Sequence, residues 1–234
     1  ANIGHVSAMN KVGYCFSSGQ GVVQDNTKAF EWYLKSANNG NIDAMKSVGE
    51  CYSKGKGVTS NQTKAFEWFL KAAEKGNTDA MFNVGLCYGT REGVEQDFSK
   101  AFKWYLKSAE NGNVDAMNST GICYSNGKGV AQDKTKAFEW YLNAAENGSS
   151  VAMYSAGLCY FSGEGVAQDW SEAYKLFLKS ANNDVVDAMF AVAQCLSKGK
   201  GTTQDRKKAF EWYSRAADHN HPQAVFKLAR CYSK

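Results

Sequence analysis

The sequence predicts an all-α solenoid of about six and a half helix–loop–helix units, and three observations carry that prediction. First, seven cysteines fall at residues 15, 51, 87, 123, 159, 195 and 231, a constant interval of 36. Second, other columns keep the same interval. They are Ala8, Ala44, Ala80, Ala116, Ala152, Ala188 and Ala224; Met9, Met45, Met81, Met117, Met153 and Met189, closed by Val225; and Trp32, Trp68, Trp104, Trp140 and Trp212, broken by Leu176. Third, helix start and stop signals recur at fixed places within each interval. A strict period of this length marks an array in which each unit packs only on its neighbours.

The second copy shows the elements in order. Asn41 to Lys54 is the first helical segment, Gly55, Gly57 and Val58 form the loop, Asn61 to Glu74 is the second segment, and Gly76 ends it. The column of Asn61 otherwise holds Asp25, Asp97, Asp133, Asp169 and Asp205. Asp and Asn there are N-caps, accepting an orphan backbone N–H of the first turn. Glycine after each helix supplies the left-handed residue that stops it. The only proline, Pro222, falls at the first helical position of its unit, where a missing N–H is tolerated.

The internal copies separate buried from exposed faces. On a wheel of ~100° per residue, the near-constant positions Ala44, Met45, Val48, Gly49, Cys51 and Tyr52 cover one arc, the core. Lys46, Ser47, Glu50, Ser53 and Lys54 fill the varied arc. Gly49 and its equivalents let neighbouring helices approach closely, and Ala193 and Ala229 replace them with little added volume. In the second helix Ala65, Phe66, Trp68, Phe69, Leu70, Ala72 and Ala73 form the buried face, and Tyr174, Leu176 and Phe177 repeat that role. Lys64, Glu67 and Lys71 stand outside at spacings that allow weak ion pairs.

The run Ala44–Met45, Val48–Gly49–Glu50–Cys51–Tyr52, Gly55–Lys56–Gly57–Val58, Lys64–Ala65–Phe66–Glu67–Trp68–Phe69, Ala72–Ala73 and Gly76 resembles Sel-1-like repeats (SLR), relatives of the tetratricopeptide repeat with a longer interhelical loop. The resemblance covers the whole chain. It implies an α/α right-handed superhelix with the first helices on the concave side, and a role as scaffold or adaptor in protein complexes. The departures are Leu176 and Asp184 in the fifth unit, and Ala193 and Leu196 in the sixth. Some proteins of this family carry a disulfide in each repeat, which takes two cysteines; this chain has one per unit. Stacked equivalents lie about 8–10 Å apart, too far for a bridge. The thiols are therefore expected to be free and buried, which favours a reducing, cytoplasmic compartment.

Residues 1–234 read as a single solenoid. Ala1 falls in the column of Ala37 and Lys234 in that of Lys54, so the chain reads as a segment of a longer protein. Net charge is +4 with the two signs interleaved, which gives no basis for nucleic-acid binding. No apolar run approaches the ~20 residues of a membrane span. Asn-x-Ser/Thr triplets at Asn61, Asn118 and Asn147 are as expected by chance in this composition. No catalytic constellation, cofactor motif or metal set is evident. His219 and His221 with Asp218 lack a further ligand and read as solvated turn residues; His5 stands apart. The Gly-x-Gly loops follow no strand, so they are turns rather than phosphate cradles.

The varied arc of the first helices changes character along the chain. Early units show Asn10, Lys46, Glu50 and Ser53, with Tyr14 the exception. Later units show Phe82, Leu86, Ile122, Tyr154, Leu158, Phe161, Phe190 and Phe226, interrupted by Asn118, Gln194 and Arg230. Their spacing puts them on one face, an apolar ribbon on which a partner peptide or helix is expected to lie. The alternative is that they pack between adjacent first helices. Phe98 and Trp170, each just after an N-cap, form a second candidate contact or staple the loop. The expected function is a non-enzymatic interaction scaffold. A substrate-presenting or regulatory segment of a larger signalling protein or enzyme is the alternative. A cell-wall hydrolase lacks the paired carboxylates it needs, and self-association through uncapped ends is a fourth reading.

Overall fold

The structure, a computed structural model, describes the backbone of residues 3–232 and the side chains of residues 5–228. Ala1 and Lys234 lie outside both ranges, and the side chains of Ala229, Arg230 and Cys231 lie outside the second. The described residues form thirteen α-helices and no strand. These are α1 (Ile3–Ser18), α2 (Asn26–Asn38), α3 (Ile42–Lys54), α4 (Gln62–Glu74), α5 (Thr78–Thr90), α6 (Phe98–Glu110) and α7 (Val114–Asn126). There follow α8 (Lys134–Glu146), α9 (Ser150–Ser162), α10 (Trp170–Ala181), α11 (Val186–Lys198), α12 (Arg206–Asp218) and α13 (Pro222–Tyr232). They group into two compact units. One holds the residues up to Ala116 with Lys128–Val130, the other Met117–Gly127 and the residues from Ala131 onward. Within each, helices consecutive in sequence pack together, α1 to α6 in the first and α8 to α13 in the second.

Capping sets the helix boundaries. Asp25, Asn61, Asp97, Asp133, Asp169 and Asp205 are N-caps with extended backbone, each accepting a main-chain N–H of the following turn. Those bonds hold the Asp25, Asp97 and Asp205 carboxyls below the usual range. The odd-numbered helices are capped by Asn41, Asn77, Asn113 and Ser149, and α13 by His221 immediately before Pro222. Val185, the equivalent before α11, offers no side-chain cap. The caps are also tied between repeats: Asn77 Nδ2 donates to Asp43 Oδ1, and Asn113 Nδ2 to Asp79 Oδ1, both at 3.1 Å. In the second unit His221 Nε2 lies 3.3 Å from Asp187 Oδ1 in the same relation.

Glycine stops the odd helices in left-handed conformation, as at Gly55 with φ 66°. Arg91 takes that place after α5 with φ 67°. A side chain in this region costs about 1–2 kcal/mol, and Arg91 is exposed. Arg91→Gly is therefore expected to stabilise the protein by about 1 kcal/mol, seen as a higher urea midpoint.

The loop glycines have a role that the sequence reading did not assign. A Cβ on Gly57, whose φ is 73°, would lie 1.9 Å from the main-chain oxygen of Asn26. The loop between α3 and α4 thus rests directly on the start of α2. Gln24, Gln96, Gln132, Gln168 and Gln204 close their loops by donating to the carbonyl seven residues earlier, as Gln132 Nε2 does to Ser125 O at 2.7 Å.

The core follows the constant columns: Ala44, Ala80, Ala116, Ala152, Ala188 and Ala224 are fully buried, and Met45, Met81, Met117 and Met189 nearly so. Three expectations change. Trp32, Trp68, Trp104 and Trp212 are only partly buried. Each carries the cation three residues later, such as Lys71 Nζ at 4.5 Å from the Trp68 ring. Lys64 lies 5.4 Å from the Tyr52 ring, so these lysines face aromatics, and Lys64, Glu67 and Lys71 form no ion pair with one another. The glycine column has no spare volume either. A Cβ on Gly49 would come within 2.6 Å of the Phe69 ring. Alanine fits at position 193 in a setting where Leu196 replaces the aromatic residue of other units.

Candidate protein-binding face on the first helices

The residues of the expected ribbon divide by depth. In the first unit Phe82 is half-buried with its ring 5.7 Å from that of Tyr105, while Leu86 is exposed. In the second unit Ile122, Leu158 and Phe226 are exposed, at 41%, 42% and 61%. Tyr154 and Phe161 are half-buried against Phe177, at 5.7 and 6.1 Å between ring centres. Phe190 is 8% exposed, packed on Tyr213 at 5.6 Å and stacked on His221 at 4.5 Å. The aromatic members other than Phe226 thus lean on rings of the second helices, and Phe226 and the aliphatic members stand clear.

Asn118 and Asn10 share one repeat position, and in both Oδ1 is buried without a hydrogen-bond partner. An orphaned acceptor costs about 1–3 kcal/mol.

Five ribbon residues of the second unit, Tyr154, Leu158, Phe161, Phe190 and Gln194, come together around a cavity of about 530 Å³. Phe177 also lines it, a residue that the sequence assigned to the core. Asp187, Ala191, His221, Pro222 and Gln223 complete the wall. His221 is thus not a solvated turn residue. Its side chain is 11% exposed, its Nδ1 accepts the Ala224 N–H at 3.2 Å, and its Nε2 faces Asp187. The signal for this was present in the sequence, since His221 occupies the N-cap column of Asn41. Phe98 and Trp170 are both partly exposed. Lys128 lies 5.5 Å from the Phe98 ring and Lys200 4.3 Å from that of Trp170, whose Nε1 donates to Phe161 O.

The titratable groups are arranged for packing. Cys15, Cys51, Cys87, Cys123, Cys159 and Cys195 are free thiols. Burial pushes Cys51, Cys87 and Cys195 up to about 11, and Tyr141 up to about 12. Thiolate nucleophiles need the opposite shift. The unfolded chain releases thiol protons near the ordinary value of 9.0, while the folded chain holds them to about 11. Stability is thus fully present below pH ~9 and is expected to fall as pH rises towards about 11, as a declining urea midpoint across that window. Among the described residues no group of three or more His, Cys, Asp or Glu could hold a metal ion. No described helix is long and apolar enough to cross a membrane.

The Sel1 repeat family model matches residues 6–41, 42–77, 78–113, 114–149, 150–185 and 186–221. Among solved structures, a protective antigen of uropathogenic Escherichia coli with an SLR fold is 32% identical, with a TM-score of 0.91 over 99% of this chain and 50% of that one. A Sel1 repeat protein from Oxalobacter formigenes is also 32% identical, with a TM-score of 0.86 over 92% of this chain and 88% of its own. The immunity protein Pa5087 of Pseudomonas aeruginosa, 21% identical with a TM-score of 0.56 over 92% of this chain and 81% of that one, shares the fold. The chain spans half the length of the Escherichia coli protein and most of the Oxalobacter one. Comparison with curated proteins finds no match.

Proposed function

This chain belongs to the Sel1 repeat family, whose members are generally protein-interaction scaffolds, and we propose that it binds a peptide segment or helix of a partner protein along the first helices of its second unit. One observation carries the reading. The cavity lined by Tyr154, Leu158, Phe161 and Gln194 includes the exposed Leu158, Ile122 occupies the position of Leu158 one repeat earlier, and the exposed Phe226 occupies that of Phe190 one repeat later. Apolar anchors beside a few hydrogen-bonding groups suit extended-peptide and helix-in-groove recognition alike. Phe82 and Leu86 are the corresponding positions of the first unit. Free, buried thiols favour a reducing compartment, the cytoplasm, as the setting.

The test is affinity capture from a native lysate, comparing the wild-type chain with an Ile122→Ser/Leu158→Ser variant. Both residues are exposed, so stability is expected to change by about 0.5 kcal/mol or less per site. Phe190→Ser is avoided because that ring is buried on Tyr213. Proteins retained by the wild type and lost by the variant are the expected result. Identical captures from two folded proteins would sink the reading. A second reading, a regulatory or substrate-presenting segment of a larger protein, draws on the length of the Escherichia coli relative, twice the part matched here.

A further inference from the structure

The cavity of the second unit contains more than apolar docking requires. Four of its lining residues are aromatic, Tyr154, Phe161, Phe177 and Phe190, and its one formal charge is the carboxylate of Asp187. His221 adds none. Its Nδ1 accepts a backbone N–H, so its proton sits on Nε2, facing Asp187. The neutral imidazole engages one carboxylate oxygen, and the Asp187 side chain remains 65% exposed. Its other oxygen takes part in no hydrogen bond or ion pair among the described residues. The whole chain carries +4, so a negative cavity does not follow from its overall charge. Tyr154 feels that carboxylate, since burial first and Asp187 second raise its hydroxyl pKa. Nearby aromatics already attract a cation: Lys200 Nζ lies 4.9 Å from the Phe161 ring and 4.3 Å from that of Trp170.

We propose that this cavity takes an arginine side chain of the bound partner, its guanidinium against the Tyr154 ring and its N–H groups donating to the free oxygen of Asp187 and the side-chain oxygen of Gln194. A planar, permanently charged group with several donors matches an aromatic wall beside two acceptors, whereas an ammonium fits as a point charge only. This assignment rests on the peptide-binding reading above and specifies its ligand.

The test uses the full chain and three nine-residue leucine-rich peptides that differ only at the central position: arginine, its neutral isostere citrulline, or leucine. Calorimetric titration is expected to show the arginine peptide binding about tenfold more tightly than the citrulline one. Asp187→Asn should abolish that difference and leave the leucine peptide unchanged, because the new amide oxygen still accepts the His221 proton. Equal binding of arginine and citrulline, or a preference that survives Asp187→Asn, overturns the arginine assignment. The docking face then stands, provided that all three peptides bind and Leu158→Ser weakens them. Failure of all three to bind removes the docking face and the arginine site together.

Discussion

Gly57→Ala is expected to destabilise the protein by about 2–5 kcal/mol, and Gly21→Ala by only about 1–2 kcal/mol. The two glycines occupy the same place in successive repeats with nearly the same backbone, φ 73° and 75°. Both replacements put a methyl group into the left-handed region, at about 1–2 kcal/mol. They differ in what the methyl meets. At Gly21 nothing lies within 4 Å, whereas at Gly57 the main-chain oxygen of Asn26 is 1.9 Å away and its carbon 2.4 Å. A backbone cannot rotate aside as a side chain can, so the loop must lift off α2, with an overpacking cost of about 1–3 kcal/mol. Urea unfolding followed by far-ultraviolet circular dichroism gives both values. Equal losses would mean that the loop moves freely and that the second glycine serves only backbone conformation. Gly93, Gly165 and Gly201 meet the same obstacle, each with a main-chain oxygen 1.8–2.0 Å away.

Phe177→Ala is expected to cost about 4 kcal/mol. The ring is 1% exposed and packs against α9, over Gly157 and beside the rings of Tyr154 and Phe161. Removing it leaves a void beneath the candidate site and frees both aromatic walls. Gly157→Ala is expected to cost about 2 kcal/mol, because its Cβ would lie 2.7 Å from Phe177 Cδ1. The double variant should lose about 1–2 kcal/mol less than the two singles together, since the new methyl enters space that the ring has left. Strict additivity would show that the helices do not meet through this pair. Partner affinity should fall with Phe177→Ala even where the protein remains folded, because Tyr154 and Phe161 lose the ring that orients them.

Phe177 also marks where legibility in the sequence stopped. Its burial was readable, because it follows the column of Phe69. Its place under the ribbon was not, because that depends on how far a glycine lets α10 approach α9. The same holds for Phe190 and Leu158. A helical wheel assigns both to the varied arc, yet one is buried and the other exposed. Depth is set by the partner ring, Tyr213 under Phe190, and by the stacked His221. The lysines on the second helices were misjudged for a related reason. Spacing allows Lys71 to reach Glu67, but the Trp68 face is within reach too, and only three-dimensional packing shows that it is left open to the cation.

The sequence by itself determined the helices, their caps, the stops at glycine and the family, because these are local properties repeated at a fixed interval. Six copies of one pattern leave little freedom in where a helix begins or which stripe it buries. The tertiary structure decided the site. Asp187 and His221 lie far apart along the chain and meet only because one repeat stacks on the next. The cavity's volume, its single charge and its aromatic walls arise from pairs of side chains on different helices. A period specifies the unit, whereas a binding surface depends on the differences between adjacent units once they are packed.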